Sequence, residues 1–296
     1  MDASAFETAV QELHADRVRG ASELARRCLD LLALSAQSAP AGGCAELLQL
    51  LAQRCARLVA ARPSMAPIEN LLDAWSNGLG HLDSSSLTVL RSTAAELARE
   101  GIWQSKRALL RSAENAAAQI GDDKTLITHS LSSTLLAVFE RLQARNIRVI
   151  VTESRPLNEG HILARRLSDW NIPTQLITDA QLGLFTAQAD LALLGADSLL
   201  PDGSLVNKAG SLLLALAANH SGVPLYVCCE SFKQRRTGQT QMPLEEMAAG
   251  ELGAPSLPGV RARNIYFDIT PASLISRWID EHGVHADGKL SITTGK

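Results

Sequence analysis

The chain has 296 residues, 46% of them hydrophobic and 20% charged, with a formal net charge of −3. That length and composition suit a globular protein of one large or two ordinary domains. A balance of 28 basic against 31 acidic residues argues against holding nucleic acid by bulk charge, and 4% aromatic content argues against a base-stacking platform. No direct nucleic-acid contact is expected, although a small basic pocket for a phosphorylated ligand remains open.

The opening segment, MDASAFETAVQELHAD, is acidic from Asp2 onward and has no basic stretch ahead of an apolar run, so no secretory leader is expected. No run approaches the roughly 18–20 apolar residues of a bilayer span. The longest, residues 211–218, ends in Asn219 and His220. A cytoplasmic protein without membrane contact is expected. Five cysteines, Cys28, Cys44, Cys55, Cys228 and Cys229, lack a CxxC spacing and give neither a disulfide framework nor a zinc site. No metal and no cofactor is expected.

Residues 1–120 read as an α-helical domain. Apolar positions recur at helical spacing in Phe6, Val10 and Leu13, and again in Leu24, Cys28, Leu31 and Leu32. Residues 45–61 form another such segment, stopped at Arg62 because a residue before proline is pushed out of the helical region. Residues 68–79 and 86–120 continue the pattern. From Lys124 onward, short apolar runs at 125–128, 148–152, 174–178, 191–194, 225–229 and 265–269 recur. Helical stretches at 131–145, 159–170, 180–188, 208–220 and 271–281 follow them. Strands alternating with helices define an α/β domain over 121–296, a Rossmann-like, mostly parallel sheet covered on both faces. Residues 233–262, rich in Gly, Pro and Glu, interrupt the rhythm and read as a long surface excursion.

Ligands of an open parallel sheet bind beyond the carboxyl ends of its strands. The residues to read first are therefore His129 and Ser130, then the segment from Glu153 to Pro156, then Gly195, Ala196 and Asp197, then Glu230 to Lys233. The stretch PDGSLVNKAGS has a tight turn at Asp202-Gly203, after which Asn207 and Lys208 open a helix. Free N–H groups at that helix start, the Lys208 ammonium and the small Gly210 would make an anion site, with Arg155 and Lys233 turned to the same mouth. Blander readings stand beside these. A lysine in a first helical turn is more often simply solvated, and an aspartate such as Asp197 at a strand end more often caps or turns. His129 and Ser130, as neighbours on a strand, point to opposite faces and do not pair as a hydrolase dyad. Neither a GxSxG elbow nor a Walker GxxxxGK[ST] pattern is present.

The runs VIVTESRPLNEGHILARRL, LLGADSLLPDGSLVNKAGSLLLALAA, VPLYVCCESFK and RNIYFDITPASLI follow one another in this order. Together they resemble the family that joins the alpha, beta and delta subunits of eukaryotic initiation factor 2B to isomerases of methylthioribose 1-phosphate and ribose 1,5-bisphosphate. DRVRGASELA and AARPSMAPIENLL resemble the isomerases' Arg-Gly-Ala and Arg-Pro segments. The resemblance implies a helical domain followed by a Rossmann-like domain. It also implies an interdomain pocket built from Arg19, Gly20, Ala21, Arg62, Asp197, Asn207, Lys208 and Lys233. Such arginines and lysines would hold phosphates by charge-assisted hydrogen bonds, and Asp197 would accept and return a sugar proton.

Two positions depart from the isomerases. Ser130 stands where they carry a cysteine, and a hydroxyl lacks a thiol's pKa near ~8.5, so it would need a strong neighbouring base. Glu159 stands where they carry a glutamine, and its carboxylate would repel phosphate unless it pairs with Arg155 or another cation. Three functions stay open on this resemblance: binding a phosphorylated sugar or nucleoside monophosphate, aldose–ketose isomerisation using Asp197 and Ser130, and a translation initiation factor subunit acting through protein contacts. The family implies a homodimer or higher oligomer, with the RNIYFDIT strand and a following helix contributing.

Overall fold

The helical periodicity of the N-terminal part is realised as α1 (Ala3–Ala15), α2 (Ala21–Ser38), α3 (Cys44–Ala61), α4 (Ala66–Gly80) and α5 (Leu87–Ile120) in the computed structural model. The structure describes residues 1–80, 86–236, 244–286 and 288. Helix α1 starts where the Asp2 side chain accepts the Ala5 N–H at 2.8 Å, and it buries Phe6, Val10 and Leu13. Arg54 of α3 is buried; it donates to Ser35 Oγ at 2.6 Å and lies 4.6 Å from the centre of the Phe6 ring. The last carbonyls of α2 are satisfied by Arg91, which donates to Ala36 O and Ala39 O. Among the described residues no helix is long and apolar enough to cross a membrane.

Two compact units, Met1–Arg107 and Ala108–Lys296, divide inside α5, ahead of residue 120. The last turns of α5 carry Ala113, Ala116, Ala117 and Ile120 into the core of the second unit. That unit continues as β1 (Thr125–Thr128), α6 (Ser133–Leu142), β2 (Arg148–Thr152), α7 (Glu159–Asp169), β3 (Thr174–Ile177), α8 (Leu182–Phe185) and β4 (Leu191–Leu194). Next come β5 (Ser198–Leu199), β6 (Leu205–Lys208), α9 (Ser211–Ser221), β7 (Leu225–Cys228), β8 (Phe267–Thr270), β9 (Arg277–Asp280) and β10 (Gly283–His285).

The main sheet runs β3-β2-β1-β4-β7-β9-β10, parallel throughout except for β10. Neighbouring residues of β1 serve opposite cores: Leu126 packs with α6 and α7, Ile127 with α8 and α9. This double covering is why the strands read as unbroken apolar runs. Strand order reverses between β1 and β4, the switch point where such sheets open a crevice. The crevice wall is tight, since a Cβ on Gly195 would lie 2.5 Å from Ser132 Oγ at the start of α6.

Several expected elements take another form. Residues 180–188 are a single α turn flanked by 3-10 turns. The helix expected over 271–281 is a 3-10 turn, Ala272–Leu274, followed by strand β9. Ile275, Trp278 and Ile279 have helical spacing, but so short a run fits a buried strand equally well, and pairing with β7 decides it. Among the described residues no α-helix therefore follows RNIYFDIT to support an assembly contact. Its strand, β8, pairs with β6 in a separate antiparallel sheet, β5-β6-β8. Residues 237–243 of the expected excursion lie outside the described residues.

Candidate functional site

Beyond β1, the chain turns sharply at Ser130, whose φ of 70° is left-handed. Before that turn, buried His129 is locked on both ring nitrogens, Nδ1 by Thr152 Oγ1 at 2.6 Å and Nε2 by Ala209 O at 2.9 Å. A carbonyl only accepts, so Nε2 carries the proton and Nδ1 receives the Thr152 hydroxyl. Burial dominates and lowers the His129 pKa, against the pull of Asp179, so the ring stays neutral. Gly210 lies flat against it, for a Cβ there would fall 2.6 Å from the imidazole. His129 is thus a fixed post; both residues lie past the end of β1, so it is the left-handed turn at Ser130, not strand alternation, that sends the serine hydroxyl to Glu159.

The Ser130 amide donates to Ser154 Oγ at 2.7 Å, and its hydroxyl donates to Glu159 Oε2 at 2.6 Å. Glu159 is the first residue of α7, and its other oxygen accepts Lys208 Nζ at 3.1 Å. The Lys208 ammonium also lies 3.9 Å from the centre of the Tyr266 ring. Lys208, not Arg155, is therefore the cation paired with Glu159. Arg155 is exposed and donates to Leu252 O at 3.1 Å. Its backbone N–H and that of Ser154 are both held by the Asp179 carboxylate at 2.8 Å.

A second cluster lies beyond β4. Lys233 Nζ donates to Ala196 O at 2.7 Å and pairs with Glu230 Oε2 at 3.1 Å, which also accepts from Thr134 Oγ1 at 3.2 Å. Burial opposes the charge on Lys233, but the carboxylates of Glu230 and Asp197 and the hydrogen bond to Glu230 outweigh it and raise its pKa. The Asp197 backbone N–H donates to Val206 O at 3.0 Å, tying the end of β4 to the small sheet.

The helix start expected at Asn207 and Lys208 is the end of strand β6; α9 begins at Ser211. Nor are all of the N–H groups there open. Asp268 of β8 accepts from Gly210 N at 2.7 Å and from Leu212 N at 3.1 Å. Asn207 joins the same corner, donating to Ser211 Oγ at 2.8 Å. Burial pushes the Asp268 carboxyl up to about 6, against the two amides that favour its charge.

In the helical unit, Asp16 gathers the arginine motifs. Its carboxylate accepts the Val18 and Arg19 amides and the Arg19 guanidinium, and its carbonyl accepts Arg62 Nη1 at 3.0 Å. Burial raises the Asp16 pKa, but the Arg19 and Val18 amides and the Arg19 guanidinium together hold it below its ordinary value. Gly20 is the N-cap residue of α2 and Ala21 its buried first residue, while Arg62 is buried at the end of α3.

Of the residues read from sequence, Ser130, Glu159 and Lys208 form one connected group, and Lys233 lies near Asp197. Asp16, Asp179, Asp268 and Tyr266 join these contacts although none is a candidate on sequence. A charged residue inside the apolar run IYFDIT was the available signal for Asp268. Among the described residues no group of three His, Cys, Asp or Glu side chains could hold a metal ion.

A Rossmann-like unit carrying two buried, paired lysines, preceded by a helical unit, defines a two-part α/β class. The chain belongs to the initiation factor 2 subunit family, whose model matches residues 17–287. It is 35% identical over 277 residues to an eIF-2B subunit 2-like protein of Pyrococcus abyssi, covering 93% of this chain and 94% of that one. It is 30% identical over 280 residues to ribose 1,5-bisphosphate isomerase of Pyrococcus furiosus, covering 90% and 86%. The crystal structure of translation initiation factor eIF-2B from Pyrococcus horikoshii OT3 superposes with a TM-score of 0.81 at 31% identity, covering 95% of this chain and 97% of that one.

Proposed function

We propose that this protein binds a phosphorylated sugar or a nucleoside monophosphate at the carboxyl ends of β1 and β4. The supporting observation is the pair of buried ammonium groups there, with side chains only 6% exposed at Lys208 and 4% at Lys233. Burying a lysine is costly even when it is paired, and two of them at the switch point suit an anionic ligand better than a packing role. Asp197 would meet the hydroxyls of the sugar, and Asn207 and Arg155 would complete the rim. Arg19, Gly20, Ala21 and Arg62 enter this reading through their sequence motifs. Calorimetry with phosphorylated sugars and nucleoside monophosphates tests it: Lys208→Ala should weaken binding at least tenfold, and unchanged affinity would remove the assignment.

A second reading, aldose–ketose isomerisation, is favoured by one contact. The Ser130 hydroxyl lies 2.6 Å from the Glu159 carboxylate, a neighbouring base of the kind a serine would need in place of a thiol. In this reading Asp197 moves the sugar proton, while Ser130 and Glu159 carry the hydroxyl proton. Ketose formation from ribose 1,5-bisphosphate would support it, and no turnover at high enzyme concentration would eliminate it for that substrate.

A further inference from the structure

Lys208 does not present an open positive charge. Its ammonium is held by Glu159 Oε1 at 3.1 Å on one side and by the Tyr266 ring at 3.9 Å on another. The remaining Glu159 oxygen takes the Ser130 hydroxyl proton at 2.6 Å. One carboxylate thus occupies the position between a cation and a hydroxyl donor that a phosphoryl group would otherwise fill. Its side chain is 17% exposed, so it is reachable from outside.

We propose that Glu159 is a specificity-determining residue: an internal anion seated in the Lys208–Ser130 subsite, which any phosphoryl group must displace to enter. The inference rests on the ligand-binding reading above and says which groups the subsite accepts. Two negative groups cannot share one ammonium in a poorly solvated corner without strong repulsion. A neutral sugar hydroxyl can join it, because a carboxylate bonded once at each oxygen keeps lone pairs for another donor. Displacement takes place by side-chain rotation, without an inward shift of α7. Gly160, the next residue, is pressed so closely on the end of β2 that a Cβ would lie 1.7 Å from Thr152 O, so the start of α7 has no room to move inward. When Glu159 swings out it frees two partners at once, the Lys208 ammonium and the Ser130 hydroxyl.

The experiment is calorimetric titration of the full chain with inorganic phosphate at neutral pH. Glu159→Gln should bind phosphate at least tenfold more tightly than the wild type. Glu159→Asp, which keeps the charge but shortens its reach, should fall between them and guards against a folding defect in the first variant. The double variant Glu159→Gln/Lys208→Gln should lose the gain. Equal or weaker binding in both single variants, or a gain that persists without Lys208, would overturn the proposal. Wild-type protein that ignores every phosphorylated sugar and nucleoside monophosphate would sink the ligand-binding reading instead, while a phosphate gain in Glu159→Gln would still stand.

Discussion

Asp268 Oδ2 accepts the Gly210 N–H at 2.7 Å, so the first turn of α9 is closed by a carboxylate from the neighbouring strand. Replacing it with alanine leaves the Gly210 and Leu212 amides without that acceptor and should cost about 1–2 kcal/mol in denaturant unfolding.

The same group carries a pH signature. With a folded value of about 6 against 3.8 in the unfolded chain, Asp268 binds its proton more tightly when folded. Its contribution to stability is full below the unfolded value and is lost as pH rises through the folded one, by on the order of 2–3 kcal/mol. Asp268→Asn keeps an acceptor and cannot ionise. Unfolding curves from pH 4 to 7 should therefore show the variant gaining on the wild type as pH rises; parallel curves would contradict this assignment.

Lys233 and Glu230 are a buried pair, and removing one partner strands the other. Lys233→Met should destabilise the protein by about 3–5 kcal/mol, and adding Glu230→Gln should recover much of that loss. Equal stability of the single and double variants in a thermal melt would show that the two side chains are not coupled.

Gly160→Ala forces a methyl group into the backbone of β2, where only a shift of α7 could relieve it. A loss of about 3 kcal/mol or more is expected. Because α7 carries Glu159, surviving folded protein should also show altered phosphate affinity.

Ser130→Cys tests the isomerase reading. The left-handed backbone at this position is already tolerated by serine, and a thiol is a close substitute in size. Ketose formation from ribose 1,5-bisphosphate should appear or rise in this variant and be lost in Ser130→Ala. A silent cysteine variant would mean that other parts of the pocket are not competent for the reaction.

The central strands were legible because burial on both faces leaves uninterrupted apolar runs such as LALL at β4 and RVIVT at β2. The small sheet was not, since Asn207 and Lys208 precede a glycine and an apolar helix and so look like a helix start. What turned them into strand was pairing with residues 267–270, a contact made across nearly sixty intervening residues. Glu159 was legible as an acid needing a cation; which cation depended on that same pairing. Asp16 escaped notice because its importance lies in backbone amides and a carbonyl, which carry no signature in side-chain composition.

The β6–β8 ladder sets Asn207 opposite Asp268 and Lys208 opposite Phe267. Side chains alternate along both strands, so a slip of one residue would rotate the lysine away from its acid and withdraw the carboxylate from α9 together. The two features stand or fall together. A change of length in the intervening chain would leave this corner intact only if the ladder stayed aligned, so the strand pairing, rather than any one polar side chain, is what holds the corner together.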